Sequence, residues 1–477
     1  MRQRLSQYKL ALVVAVAVLA RLALLVAFPQ VFAFSEPGAE IHGSLAYDEY
    51  AVNLLETGVY GREPGVADAG LPPLYSYVLS LIYRLFGRHY LAVAAAHILF
   101  DALSIALLFD ICRRLFPRAP QRGERIGALA GLFFALYPYL IFQNLTLNDT
   151  ALWILLVHLF VWQLLRLRER EALDRGTLLL AAKAGVVLGL ATLARALLPA
   201  LALLAVIWFL FKLSWAQTLL RLLPVALLSL VVLLPWLMRS GRIYGDFVPI
   251  ALNSGENIYQ GNNPYSAAVF RAGYDVQWLP PPTDAPPREE PLRRNQFLAE
   301  AGWRYLREHP AAIPELLWVK LIVYWNPQVT PLRNLRQDEK LALDEDGEIV
   351  IVTGEGSHIG VTAANAAYQD EGLFNVIGRG VHLVYFGGLL LLAIAGAWLS
   401  RREWRMLSLL LFVQLSQTLM YVLFHPSTRY RSPTDPLLFV FSAYAVVWAA
   451  ARWRGRLSPH PPTPFPIKRE GEHHQQT

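Results

Sequence analysis

The sequence predicts an all-α, polytopic membrane protein with interfacial helices and a small mixed α/β domain outside the bilayer. Three observations predict it. Of 477 residues, 55% are hydrophobic and only 17% charged, and the mean hydropathy is +0.36, too apolar for a soluble chain of this size. Ten apolar runs punctuate the chain, each near the length a bilayer requires. The arginines gather in short clusters at alternate ends of those runs, as cytoplasmic loops do.

The first run covers residues 10 to 33, preceded by Arg2, Arg4 and Lys9, which keep the N-terminus in the cytoplasm. It is longer than the apolar part of a cleaved signal and many spans follow, so it reads as an uncleaved first span. Arg21 within it is costly in lipid and faces the protein interior or snorkels to the surface. Residues 34 to 88 form a first outer loop rich in carboxylates, among them Glu36, Glu40, Asp48, Glu49, Glu56, Glu63 and Asp68. Its last part, Leu74 to Phe86 after Pro72 and Pro73, is apolar and too short to span, with tyrosines suited to the membrane surface.

Further spans fall at about 89–112, 126–143, 147–165, 177–194, 196–213 and 219–238, and the last three at about 379–400, 406–424 and 435–451. Simple alternation places Arg113, Arg114, Arg118, Arg122 and Arg125 on the N-terminal side. Arg166, Arg168, Arg170 and Arg175 fall there too, as do Arg401, Arg402 and Arg405, and Arg452, Arg454 and Arg456. Both termini are then cytoplasmic in a multi-pass plasma or inner membrane protein. The chain divides into a transmembrane module at 1–238, an extracytoplasmic domain at 239–374, C-terminal helices at 375–457 and a disordered tail at 458–477. Within 239–374, Pro280 to Pro291 is loop, 293–309 a helix, 313–326 a short apolar segment at the membrane, and Glu348 to Thr353 one arm of a hairpin after Asp346 and Gly347.

Composition excludes several classes. The net charge of +7 resides in short loop clusters with no basic face interleaved with aromatics, so nucleic acid is not a partner. The single cysteine, Cys112, permits no internal disulfide. No Gly-rich phosphate loop implies a nucleotide, and no internal repeat points to a transporter. The residues call for no cofactor, and a divalent metal at the outer carboxylates stays open.

The candidates for chemistry gather at the outer face. Asp48 and Glu49 are adjacent carboxylates where the chain leaves the membrane; one can act as general base on a hydroxyl, or both can be a solvated acidic pair. Arg195, Arg239, Arg242, Arg429 and Arg431 lie near outer ends of spans, and the Pro-flanked Arg429-Tyr430-Arg431 can hold a phosphate by paired bonds or simply snorkel. Asp149, in the second outer turn, can orient a sugar, hold a metal, or cap the helix starting at Thr150. Asp101 lies inside a span, where it is functional or paired. His97 and His158 read as packed core, and Asp110 as a boundary residue.

Together these pieces resemble the multi-spanning glycosyltransferases of the GT-C fold, and in particular family 39, the protein O-mannosyltransferases and aminoarabinose transferases. The resemblance rests on Asp48-Glu49 with Tyr50 and Gly58, Pro72-Pro73-Leu74-Tyr75 ending in Phe86-Gly87, Tyr137-Pro138, Leu193-Ala194-Arg195-Ala196, Leu234-Pro235-Trp236 to Pro249-Ile250, Asn253 with Gly255 to Pro264, and Arg429 to Pro433. It covers roughly residues 10 to 450. It implies inverting transfer of a sugar from a polyprenyl-phosphate donor to an acceptor hydroxyl on a protein, lipid or glycan at the extracytoplasmic face. In that scheme Asp48 is the base, Glu49 supports it or binds sugar, and Arg429 and Arg431, with Arg195, hold the carrier phosphate. Tyr430 accompanies those arginines, and Tyr259, Asn262 and Asn263 cover the site. Two departures stand out: Asp149 where the family often carries Glu, and Ala196 where Pro commonly follows the Arg. The alternatives are a lipid-linked glycan ligase or polymerase, and a transporter or flippase without bond chemistry.

Overall fold

The computed structural model describes residues 2–28, 45–333, 335, 339–344, 348–353, 358–360 and 373–457. Glu36, Glu40, the turn at Asp346 and Gly347, and the tail from 458 lie outside the described residues. The long helices are α1 (Arg2–Ala27), α4 (Tyr90–Leu115), α7 (Thr150–Glu169), α8 (Arg175–Ala194), α10 (Trp215–Tyr244), α15 (Leu373–Leu399), α16 (Trp404–Leu423) and α18 (Asp435–Leu457). Shorter elements lie between them: α2 (Leu45–Thr57), α3 (Leu74–Phe86), α5 (Pro120–Ala135), α6 (Pro138–Gln143), α9 (Leu198–Leu210), α11 (Ser254–Gly261), α12 (Ser266–Ala272), α13 (Pro291–Glu308), α14 (Ile313–Trp325) and α17 (Thr428–Arg431).

Eight of the ten expected runs are helices long and apolar enough to cross a membrane. The other two are helical but short. The 126–143 run breaks between α5 and α6 because Pro138 lacks an amide hydrogen and forces Tyr137 to φ −69°, ψ 107°. The thirteen residues of α9 span only about 20 Å against the roughly 30 Å of a hydrocarbon core.

The helices pack in a row, α10 on α8, α8 on α7, α7 on α4, α4 on α5, α5 on α18 and α18 on α15, while α1 lies against α4 and α5, and α9 against α16. The most apolar stretch of α7 is 78% buried and that of α1 only 17%, so α7 is the axis of the bundle and α1 a flank open to lipid. The α8 and α10 backbones approach closely through Gly185 and Gly189, four residues apart: a Cβ on Gly185 would lie 2.5 Å from the Val225 carbonyl oxygen, and one on Gly189 2.7 Å from the Val232 Cβ. Helix α10 starts at a reciprocal Ser214 and Gln217 capping box and ends at Gly245, whose φ of 68° a side chain would disfavour.

One polar chain crosses the apolar interior. Arg21 Nε bonds Asp101 Oδ2 at 2.5 Å, Arg21 Nη1 donates to the Ala135 carbonyl, and Asn144 Nδ2 donates to Asp101 Oδ1 at 2.7 Å. Arg21 and Asp101 are thus each other's partner in the membrane interior. His97 sits between the Tyr75 hydroxyl and the Asn144 carbonyl, and His158 against the Ser104 carbonyl, both in the core as read from the sequence. Asp110 takes hydrogen bonds from Trp162 and Arg114 at the helix end.

Hydrogen bonds also draw the basic clusters to one end of the bundle: Arg114 pairs with Glu169, Arg122 with Glu403, and Arg168 donates to the Arg405 carbonyl. Beyond Tyr244 the chain builds a small unit with its own apolar core, in which Val269, Phe270 and Val276 meet Val319, Leu341 and Ile351. Its strands β1 (Lys340–Leu343), β2 (Ile349–Val352) and β3 (His358–Gly360) form an antiparallel sheet in that order, with Leu341 opposite Ile351 and Ile351 opposite Ile359.

Candidate active site

Two concavities lie at the end of the bundle opposite the basic clusters, where α2 and α7 begin and α8 and α16 end. The first is a cavity of about 350 Å³ lined by Tyr47, Asp149, Arg195, Asn257, His425, Arg429 and Tyr430, with Leu71, Pro249, Ile250 and Phe424 on its apolar side. The second is a more open groove of about 1010 Å³ holding Asp48, Glu49, Arg62, Asp68, Arg88 and Glu289. Tyr47 faces one and Asp48 the other, so the first turn of α2 is the partition between them.

In the cavity, Arg195 grips Asp149 with both ends of its fork, Nε to Oδ2 at 2.5 Å and Nη2 to Oδ1 at 2.7 Å. Burial pulls the Arg195 pKa down, but the Asp149 charge outweighs it and holds the guanidinium above its ordinary value. Asp149 occupies the position before α7 without capping it; Asn148 Oδ1 takes the Thr150 amide at 2.8 Å instead. The capping role open to Asp149 in the sequence therefore belongs to Asn148. Arg195 Nη1 and Arg429 Nε have no hydrogen-bond partner. Among the described residues Arg429 makes no ion pair, and the carboxylate that acts on it across the cavity, Asp149, is already held by both ends of Arg195.

Arg431 is placed differently. It is fully buried, paired with Asp435 at 3.3 Å, and donates to the Asn326 carbonyl at 2.7 Å and the Tyr324 carbonyl at 3.2 Å. It straps α17 to the end of α14 and is not among the cavity residues. Residues two apart on a helical turn face opposite ways, so α17 can offer only one of Arg429 and Arg431 to the cavity.

Asp48 is likewise buried, 2% exposed, and borders the groove. Its carboxylate takes the Tyr83 hydroxyl at 2.7 Å and both ends of Arg88, Nε at 3.1 Å and a close Nη2 contact. The hydrogen bond to Asp48 holds the Arg88 pKa up. Glu49 pairs with Arg62 at 2.6 Å.

The loop residues lie behind the cavity wall. Asn262 holds Lys320 Nζ at 2.8 Å and donates to the Leu423 carbonyl at 2.9 Å. Asn263 closes its own turn through the Tyr259 carbonyl and the Tyr265 amide, and the Tyr259 hydroxyl reaches the Pro280 carbonyl at 3.4 Å. The same segment instead lines the cavity with Asn253, Ser254 and Asn257. Sequence reasoning carried Asn253 and Asn257 only inside a motif and gave none of these, nor Tyr47, Tyr421 or His425, a role at the site. His425 bonds Asn257 Oδ1 through Nε2 at 3.1 Å, and burial lowers its pKa, which keeps the ring neutral. No group of three side chains suited to hold a metal occurs among the described residues.

A membrane-spanning helical bundle with a cavity at one end, built from α2, α7, α8 and α17, defines a class: the chain has the GT-C fold of polytopic membrane glycosyltransferases. Residues 71–238 match the model of the dolichyl-phosphate-mannose-protein mannosyltransferase family, which bears out the resemblance read from the sequence. Among solved structures, the chain is similar to the archaeal oligosaccharyltransferase AglB from Archaeoglobus fulgidus in complex with an inhibitory peptide and a dolichol-phosphate, at 15% identity and a TM-score of 0.54, over 96% of this chain and 53% of that one. The Archaeoglobus fulgidus enzyme with zinc and sulfate gives 14% identity and a TM-score of 0.52, over 93% and 50%. The chain thus spans about half the length of these oligosaccharyltransferases. ArnT from Cupriavidus metallidurans bound to undecaprenyl phosphate is matched at 14% identity and a TM-score of 0.41, over 93% and 78%. No curated protein matches the chain.

Proposed function

We propose that the protein transfers a sugar from a polyprenyl-phosphate donor to an acceptor hydroxyl at the outer surface of the membrane, with inversion at the anomeric carbon. The observation that carries this reading is the unpaired Arg429 beside Arg195 in one cavity. A half-buried guanidinium that lines a cavity and makes no ion pair of its own favours an anionic ligand, and its fork suits phosphate. The apolar side of the cavity suits a lipid carrier, and a position at one end of the bundle suits a carrier in the membrane that presents its headgroup there. A volume of about 350 Å³ is at the small end of ligand pockets, which favours one sugar with its phosphate over a whole glycan and so argues against the ligase.

In this reading the donor phosphate lies on Arg429 and Arg195, and the acceptor enters from the groove across the α2 partition. Asp48 takes the proton of the acceptor hydroxyl, whose oxygen bonds the anomeric carbon while the bond from that carbon to the phosphate oxygen breaks. The lipid phosphate leaves with the electron pair, its charge met by the arginines. Arg88 must then yield Asp48; its side chain is 45% exposed, against 3% for that of Asp48. Glu49, Asn257, Tyr430 and the loop around Tyr259, Asn262 and Asn263 shape the two sides. A second reading makes Asp149 the base, favoured by its position in the cavity itself.

The test is a transfer assay on purified protein in lipid, supplied with a panel of polyprenyl-phosphate sugars and followed by release of free polyprenyl phosphate. Asp48→Asn is expected to lower kcat by about 10²–10⁴-fold, the usual worth of a general base, and Arg429→Ala to raise the donor KM. Full activity in Asp48→Asn with loss in Asp149→Asn would replace the first assignment with the second. No release from any donor by the unaltered protein would sink the transferase and leave a transporter.

A further inference from the structure

At the end of the bundle remote from the cavity, the loop after α4, the start of α5 and the second half of α18 enclose a second hollow of about 510 Å³. Its polar half is Arg118, Arg122 and Arg125, and its other half is Tyr444, Val447 and Trp448 on α18. The three arginines differ in their freedom. Arg122 is held by Glu403 and lies over the Phe116 and Tyr444 rings at 5.0 and 5.2 Å, and its Nε has no hydrogen-bond partner. Arg118 and Arg125 are exposed, and neither makes an ion pair among the described residues.

We infer that this hollow binds one anionic phospholipid of the surrounding membrane, with its phosphate among Arg118, Arg122 and Arg125 and its first acyl carbons against Val447 and Trp448. The placement selects a lipid over a soluble anion. The candidate spans Tyr90–Leu115 and Thr428–Trp453 both end here, so the hollow opens where lipid headgroups lie. Trp448, 40% exposed, carries an apolar ring to that depth, as interfacial tryptophans do. Of the three positive charges only Arg122 is paired among the described residues, with Glu403, and basic residues at an anionic leaflet attract its lipids. Guanidinium groups also bind phosphate oxygens in pairs rather than as point charges. The site is separate from the transfer cavity, and the inference stands whether or not the protein moves sugars.

The experiment is native mass spectrometry of the full chain in detergent, titrated separately with phosphatidylglycerol, phosphatidylcholine and inorganic phosphate. The unaltered protein is expected to retain phosphatidylglycerol at least about tenfold more strongly than phosphatidylcholine, and the Arg118→Gln and Arg125→Gln double variant to carry one phosphatidylglycerol fewer. Both residues are exposed, so the double variant should melt at the unaltered temperature in detergent alone; Arg125→Gln by itself serves as a second, milder variant expected to weaken the same retention. Equal retention of both lipids by the unaltered protein, an unchanged phosphatidylglycerol count in the folded variants, or displacement of the lipid by inorganic phosphate would each overturn the inference.

Discussion

Two arginine–aspartate pairs of the same chemistry occupy two regions of this bundle and have different consequences. Arg21 and Asp101 meet deep in the helical core, where both Asp101 oxygens are taken, one by Arg21 and one by Asn144, and nothing but protein surrounds them. Each arginine keeps one nitrogen without a hydrogen-bond partner, Nη2 of Arg21 and Nη1 of Arg195, but Arg195 and Asp149 meet at the edge of a cavity that Arg429, with no ion pair of its own among the described residues, also lines. What separates a strut from a working group is therefore access to a space that something else can enter. Lys320 is a third case: a fully buried cation with no carboxylate partner among the described residues, held by the Asn262 side chain and the Leu423 carbonyl.

The sharpest way to break the comparison is in the core. Asp101→Leu strands Arg21 in an apolar setting and is expected to cost about 3–5 kcal/mol, seen as a lower melting temperature in detergent, while Arg21→Met combined with Asp101→Leu recovers most of it. A single variant that melts at the unaltered temperature would mean the pair contributes nothing. Arg431→Met should behave like the core pair, lowering stability by a similar amount through the stranded Asp435, whereas Arg429→Met should leave melting unchanged; matching melting curves for the two would erase the distinction drawn between them.

At the cavity the ordering reverses. Asp149→Asn keeps shape but loosens Arg195, and a misplaced positioning group costs on the order of a hundredfold in rate, read as kcat/KM for the donor, with melting little changed. An intact rate would make Arg195 and Asp149 a strut like the others. The last effect, gradual rather than abrupt, concerns Lys320. Burial lowers its pKa from 10.5 to about 7, so between those values the unfolded chain binds the extra proton and stability rises with pH, on the order of 1 kcal/mol per pH unit. Below about pH 7 the penalty is complete and constant. Lys320→Met should flatten that slope in melting curves taken from pH 7 to 10, and an unchanged slope would assign it to another group.

Much of the scaffold is legible in the chain itself. Leu74 to Phe86 reads as a short helix and is one: its thirteen residues are mostly apolar and are bounded by Pro73 and Gly87. The basic clusters read as one end of the bundle, and the ion pairs of Arg114 and Arg122 draw them together there. The broken span at Tyr137 and Pro138 escaped a reading based on run length, although its cause is local.

The sequence by itself determined that this chain spans a membrane, which runs become helices, and that its chemistry-bearing residues gather at one end, because apolar run length and charge bias are properties of local composition. Only the tertiary structure decided which of those residues face the cavity. Neighbours on a helix point about 100° apart, so Tyr47 reaches the cavity while Asp48 borders the groove, and Arg429 enters where Arg431 turns away. Nor could the sequence choose the partner of Asp149, since Arg195 is 46 residues further on and only the packing of α7 on α8 brings the two together.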